Sequence, residues 1–373
     1  MSNRTNIINN FILLVGGVLG ILTVGIVSSN ISVGFNFKIF YSALLFIVIN
    51  TIAHELAHII SGKLNGFKTI SFKLLCFKFH KIEGKFKVSI IPVGEQIGEA
   101  ELIPTEYDGI EKRYKKVARA GIIANVIILL TSIPFFFFWQ KWFWGEHAVL
   151  YYLTAFSMPV SLYFVLANAL PMSNNLVRND AAILWGISHN DPATKVMFSL
   201  LKVHALLYKG LTPAEIPEEY YFDVPQLPED EPNFIMLLNN RYYYYLDKGD
   251  YENAKLTINR LESVQDYIEK YMEGPIGADM LYSYCTFMKN ETTADNLMED
   301  YDKYLNKVVN SQNMRAKLAY VLYILQDKEL VEDMYNKTLE LASKTEVEGL
   351  KKLEIKLVKN MENDVKNLVS IKD

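Results

Sequence analysis

The sequence predicts a mainly α-helical, polytopic membrane protein with about four transmembrane helices. A small β-hairpin region lies between the second and third, and a C-terminal cytosolic helical, repeat-like domain follows. Three observations carry this expectation. Half of the 373 residues are apolar and 13% are aromatic, which exceeds the needs of one ordinary soluble domain. Uncharged runs long enough to cross a bilayer recur, all before residue 180. The charge also reverses there: Lys+Arg against Asp+Glu is 16 against 10 over residues 1–180 and 22 against 32 over 181–373, so +6 is followed by −10. Two differently solvated halves follow from that reversal.

Taken in order, residues 11–28 form the first expected span, with Gly16 and Gly20 at the small-xxx-small spacing of close helix packing. A cleaved signal peptide is disfavoured, because Val27-Ser28-Ser29 is a poor cleavage site and the charged n-region holds only Arg4. The second span covers residues 39–61. Spans three and four cover 121–139 and 147–170, joined by the aromatic stretch 140–146, which suits a membrane interface. The loop 62–119 carries 12 Lys or Arg, against one each in the loops 29–38 and 140–146. The positive-inside rule therefore places that loop, both termini and the adjoining membrane face in the cytoplasm of a multi-pass cell-membrane protein.

Within the loop, residues 67–73, 77–79 and 85–91 alternate apolar with polar around Glu83-Gly84, the pattern of hairpin strands. Such strands offer an edge to an extended peptide, or a lysine-bearing surface to solvent and anionic headgroups. Residues 1–190 thus read as the membrane domain and 191–232, with prolines at 213, 217, 225, 228 and 232, as a linker. Residues 233–373 read as about three helical hairpins. Tyr244 to Ala254 resembles the helix-turn-helix centre of a tetratricopeptide repeat, and helix breaks near Asn290 and Asp327 follow at spacings of 41 and 37. A groove for a protein partner, or plain helical packing, would account for these residues. Cys76 and Cys285 match no metal or redox spacing and are expected as free thiols in a reducing compartment.

The chemistry concentrates in Thr51-Ile52-Ala53-His54-Glu55-Leu56-Ala57-His58-Ile59-Ile60. Four-residue spacing stacks His54 and His58 on one helical face, where two neutral imidazoles can hold Zn²⁺. Glu55 then stands beside the first ligand, able to take a proton from a water that the metal activates. The flanking residues, 40–60, are otherwise almost wholly apolar and uncharged. Ionisable groups are costly in lipid, so three of them on one span mark a functional site.

Three segments together resemble the site-2 protease type of intramembrane zinc metalloprotease. The first is His54-Glu55-Leu56-Ala57-His58. The second, Ala120-Gly121-Ile122-Ile123-Ala124-Asn125, is similar to the family's Ala-Gly-Pro-x-x-Asn, with Ile122 in place of proline. The third is Asn168-Ala169-Leu170-Pro171 followed by Asn179-Asp180-Ala181, where Ala181 stands in place of the usual glycine and Asp180 follows Pro171 by nine positions.

The resemblance implies Asp180 as third zinc ligand, with His189 or Asp191 as alternatives if the chain turns differently after Pro171. It places Asn125 and Asn168 near the site, where an amide could hold a substrate carbonyl or oxyanion, or serve helix packing and backbone satisfaction. The implied reaction is hydrolysis of a peptide bond in or beside a transmembrane segment or membrane-associated peptide precursor, with Glu55 moving the proton. Partners would be that substrate and the bilayer; no nucleic acid is expected. Richness in Lys, Asn, Ile and Tyr suggests a bacterial source. A non-catalytic membrane scaffold presenting the helical domain is the alternative, though a scaffold has no use for a base beside a ligand pair.

Overall fold

The computed structural model describes residues 37–82, 85–91, 97–142, 154–174 and 177–370, together with residues 15, 16, 18 and 20. The first expected span, 11–28, lies outside the described residues apart from those four, which are helical. The chain divides into two compact units, 1–194 and 195–373.

In the first unit, α1 (Phe37–Leu64) and α2 (Ile110–Trp142) contain stretches long and apolar enough to cross a membrane, Tyr41–Leu64 and Ile110–Pro134. The second starts 11 residues before the expected span at 121, because its charged early turns, from Glu111 to Arg119, continue the same helix. Helix α3 (Ser157–Ala169) makes up most of the described part, 154–170, of the fourth expected span. Its 13 residues alone reach about 20 Å, short of the roughly 30 Å hydrocarbon core. Helices α1, α2 and α3 pack against one another.

The loop between α1 and α2 folds into a four-stranded antiparallel sheet of order β3-β2-β1-β4, from β1 (Phe67–Leu74), β2 (Phe77–Ile82), β3 (Lys85–Ile90) and β4 (Gly98–Pro104). The register puts Phe72 opposite Phe79 and Phe79 opposite Val88. Phe72, Phe79 and Phe86 stack in sequence at 5.7 and 6.1 Å. Strand β4 was not legible from alternation, and it takes an edge position where its terminal Gly98 and Pro104 cost the ladder least. It packs along α1, with the Leu102 side chain against Gly62 and Gly98 against Thr51 and Glu55.

The segment expected as a linker is folded. It holds α5 (Pro192–Tyr208), which begins after α4 (Asp180–Ser188), a 3₁₀ turn at Pro213–Glu215 and the short α6 (Glu219–Phe222). The physical reason is proline placement. Pro192, Pro213 and Pro232 begin helical elements, where a missing N–H breaks no bond and a fixed φ favours the first turn. Composition alone reads such prolines as linker.

Beyond most of α5 and the short α6, the second unit contains, among the described residues, three helical hairpins and two further helices. The hairpins are α7 (Pro232–Lys248) with α8 (Tyr251–Ser263), α9 (Lys270–Thr286) with α10 (Glu291–Lys307), and α11 (Ser311–Tyr320) with α12 (Lys328–Ser343). The breaks fall where the sequence marks them, and Asp250, Asn290 and Asp327 cap the second helix of each pair. Their spacing and the π turn at Val321–Leu325 depart from a tetratricopeptide repeat of about 34 residues, so that resemblance is carried no further. Helices α13 (Glu348–Asn360) and α14 (Glu362–Ser370) complete the unit. Its core is continuous from Tyr242 through Leu281 and Leu318 to Leu357.

A charge cluster lies inside this core. Arg315, fully buried, donates to Asp279 Oδ1 at 2.9 Å and to Glu354 Oε2 at 3.0 Å, with its guanidinium over the Tyr282 ring. Tyr243 and Gln312 also donate to Asp279. One cation faces two carboxylates, so the ionised cluster carries one net negative charge. Burial pushes the Asp279 carboxyl up to about 6, and one bound proton there neutralises the cluster.

Arg315→Met should therefore destabilise this unit by about 3–5 kcal/mol, the cost of orphaning buried charge. Adding Asp279→Leu and Glu354→Leu should recover much of that loss in denaturant melts followed by circular dichroism. Because the folded Asp279 value lies above the unfolded value near 3.9, its contribution is fullest below that pH and fades as pH rises through 6. The stability gap between wild type and Asp279→Asn should narrow between pH 4.5 and 7.

Candidate metal centre

Helix α1 carries His54, Glu55 and His58, and its four-residue periodicity does what the spacing requires. The two imidazole Nε2 atoms lie 2.9 Å apart on one face. Asp180, in the first turn of α4, brings Oδ2 to 3.2 Å from each of them. Among the described residues, this is the one cluster of three His, Cys, Asp or Glu donors placed to hold a metal ion. The ligand side chains retain only 10–12% of their exposure, so bulk water does not solvate the group.

The hydrogen bonds on the far side of each ring decide what the near side can do. His58 Nδ1 faces the Val117 carbonyl at 2.9 Å, and a carbonyl only accepts, so Nδ1 carries the proton and, in the neutral ring, Nε2 is bare. His54 Nδ1 faces Asn125 Oδ1 at 2.6 Å, while the Asn125 NH₂ donates to the Asn50 backbone carbonyl at 3.2 Å. That amide orientation makes His54 Nδ1 the donor and leaves its Nε2 bare as well. Asp180 Oδ2 is buried without a hydrogen bond. With both rings neutral, its two 3.2 Å approaches to histidine set lone pair against lone pair. Three acceptor atoms converging without a proton are reconciled by a cation, and two imidazoles with a carboxylate suit a divalent transition metal.

Asp180 is positioned by the residue before it. Asn179 caps α4 by accepting from the Ala182 N–H, accepts from the Met172 N–H, and donates to the Ala167 and Leu170 carbonyls. This clamp closes the chain after Pro171 into a small ladder, Ser173–Asn174 against Val177–Arg178, and returns it to the site. Ala181 is helical and buried, so no glycine conformation is needed there. The alternative ligands are engaged elsewhere. His189 caps the end of α4, exposed and stacked on Trp185, and Asp191 binds Arg178 and Thr194.

Two glycines make room. A Cβ on Gly121 would sit 2.5 Å from His58 Nε2 and 2.6 Å from His54 Cε1, which explains glycine where α2 crosses the histidines. A Cβ on Gly98 would sit 2.3 Å from Thr51 Cγ2 and 3.0 Å from Glu55 Cγ. Glu55 is itself buried, beneath β4. Asn168 directs its NH₂ to the Phe164 carbonyl and to Asn125 Oδ1 at 3.4 Å, so its donors, like those of Asn125, are already used. Sequence reasoning passed over Gly98, the Val117 carbonyl and Asn50. Only Asn50 left a signal, a polar residue one turn before His54 on the same face.

If the cluster binds a metal, Gly121→Ala should block that binding while leaving the helices intact. Metal content by mass spectrometry should fall well below that of wild type, with unchanged circular dichroism.

The description Peptidase family M50 belongs to a family model that matches residues 41–349. No curated protein and no solved structure matches the chain.

Proposed function

The chain belongs to peptidase family M50, the site-2 protease family of membrane-embedded metallopeptidases, and from that premise we propose that it is a zinc endopeptidase cutting a peptide bond in or beside a transmembrane segment or a membrane-associated peptide precursor. One observation supports this above the rest: His54, His58 and Asp180 converge with bare acceptor atoms, and Glu55 follows the first of them on the same helix. These three residues would hold a Zn²⁺ ion, which would supply Lewis acidity to activate a water and polarise the scissile carbonyl.

The chain's own residues supply the rest. Glu55 takes the proton from the attacking water and delivers it to the departing amine. Its burial beneath β4 keeps bulk water from competing for that proton. Asn125 and the Val117 carbonyl hold the two rings with Nε2 inward. An oxyanion role for Asn168 requires it to release its longer bond to Asn125. A helical substrate must unwind before its carbonyls are accessible, and an exposed strand edge can hold the opened segment. Of the two sheet edges, β4 is the one beside Glu55, so it replaces the 67–91 hairpin in this reading.

The membrane face near the metal, both termini and the helical unit are cytoplasmic in this reading, as the lysine-rich loop indicates. The helical unit then offers a partner-binding surface. A non-catalytic scaffold would share that unit but gives no reason for Glu55 or for three converging acceptors.

Glu55→Gln should keep near-normal zinc and lose at least about a hundredfold in activity, the usual cost of removing a general base. Asp180→Asn should lose both together, whereas His189→Ala and Asp191→Asn should keep their zinc. Zinc analysis, with proteomics of membrane peptides in cells carrying wild type or Glu55→Gln, reads both effects. Full zinc and cleavage in Asp180→Asn would remove it as a ligand. Reporters fused after Lys85 and Asp373 should report cytoplasm, and one near Trp142 the outside; an exterior Lys85 would reverse the topology.

A further inference from the structure

The polar contacts behind His54 continue past Asn125 into the interior of the helix bundle. Asn125, wholly buried, offers two amide hydrogens, and both acceptors belong to Asn50: its backbone carbonyl at 3.2 Å and its side-chain Oδ1 at 3.3 Å. Asn50 is also wholly buried. Its own NH₂ donates to the Phe46 carbonyl at 2.8 Å and to Ser161 Oγ on α3 at 3.0 Å.

The direction of every bond in this chain can be read from its far end. The Phe46 carbonyl only accepts, so the Asn50 nitrogen must face it and Oδ1 must face Asn125. Asn125 must then present NH₂ to Asn50 and its oxygen to His54. His54 Nδ1 must donate, and Nε2 is left bare toward Asp180. Flipping either amide would set oxygen against oxygen between fully buried side chains and would offer His54 a donor, which protonates the wrong nitrogen.

We propose that Asn50 is a positioning residue for the metal site, fixing the tautomer and orientation of His54 through Asn125. His58 needs no such residue, because its Nδ1 meets a carbonyl directly. The two histidines, equivalent in the motif, are therefore held by different means and respond to different substitutions. The inference rests on the metal-site reading above and concerns how one ligand is held.

The test uses the full chain in detergent, loaded with Co²⁺, comparing wild type with Asn50→Leu, which is nearly isosteric and tolerable in an apolar bundle. Affinity is read by chelator competition, and the ligand rings by the paramagnetically shifted, exchangeable N–H protons. Wild type should show two such signals, one from each Nδ1–H. Asn50→Leu should bind Co²⁺ about tenfold more weakly, the lower end of what partners behind a ligand contribute, and only one signal should move or exchange faster. Asn50→Ala serves if the leucine variant does not fold. Unchanged affinity with both signals in place would overturn the role of Asn50, and equal displacement of both would show general loosening instead. If wild type binds no Co²⁺ or Zn²⁺, the metal-site reading itself fails.

Discussion

The residues described around α1, α2 and the head of α4 answer to one constraint: three acceptor atoms held within about 3.2 Å of one another, largely away from bulk water. Such an arrangement is costly, since like lone pairs repel and a buried carboxylate without a donor loses its solvation. The surrounding fold keeps it in place. Val117 and Asn125 on α2 set the rings, Asn179 at the head of α4 sets the carboxylate, and Gly121 withholds the Cβ that would fill the space. A cation held between these atoms would relieve that cost.

The surroundings of Glu55 follow the same logic. In the proposed reading it is a general base, which works best away from competing water, and β4 covers it because Gly98 lets a strand lie against α1 at the level of Thr51 and Glu55. The sheet is thereby tied to the site through its edge. Its aromatic stack, Phe72 to Phe86, runs across β1, β2 and β3.

The parts legible in the sequence were those whose signal is local. The spacing of His54 and His58 needs only helical periodicity. The strands at 67–90 needed only alternation around Glu83-Gly84, and the helix breaks at Gly249, Asn290 and Asp327 needed only capping chemistry. What stayed hidden depends on atoms distant in the chain. Pairing of Asn50 with Asn125 and Ser161 spans 75 and 111 residues, and nothing near Gly98 announces that it meets Glu55. The prolines of 191–232 misled because the same residue serves linkers and helix starts, and only the structure distinguishes the two. Asp180 was placed by resemblance, and the physical reason it reaches the histidines, the Asn179 clamp, is invisible to spacing.

X-ray absorption at the zinc edge of the purified, metal-loaded protein tests the central claim most directly, because it reads the ligand atoms without needing a substrate. Two imidazoles with oxygen completing the shell, and no sulfur, is the result that His54, His58 and Asp180 require. A shell containing sulfur from Cys76 or Cys285, or one of oxygen alone, would contradict the account.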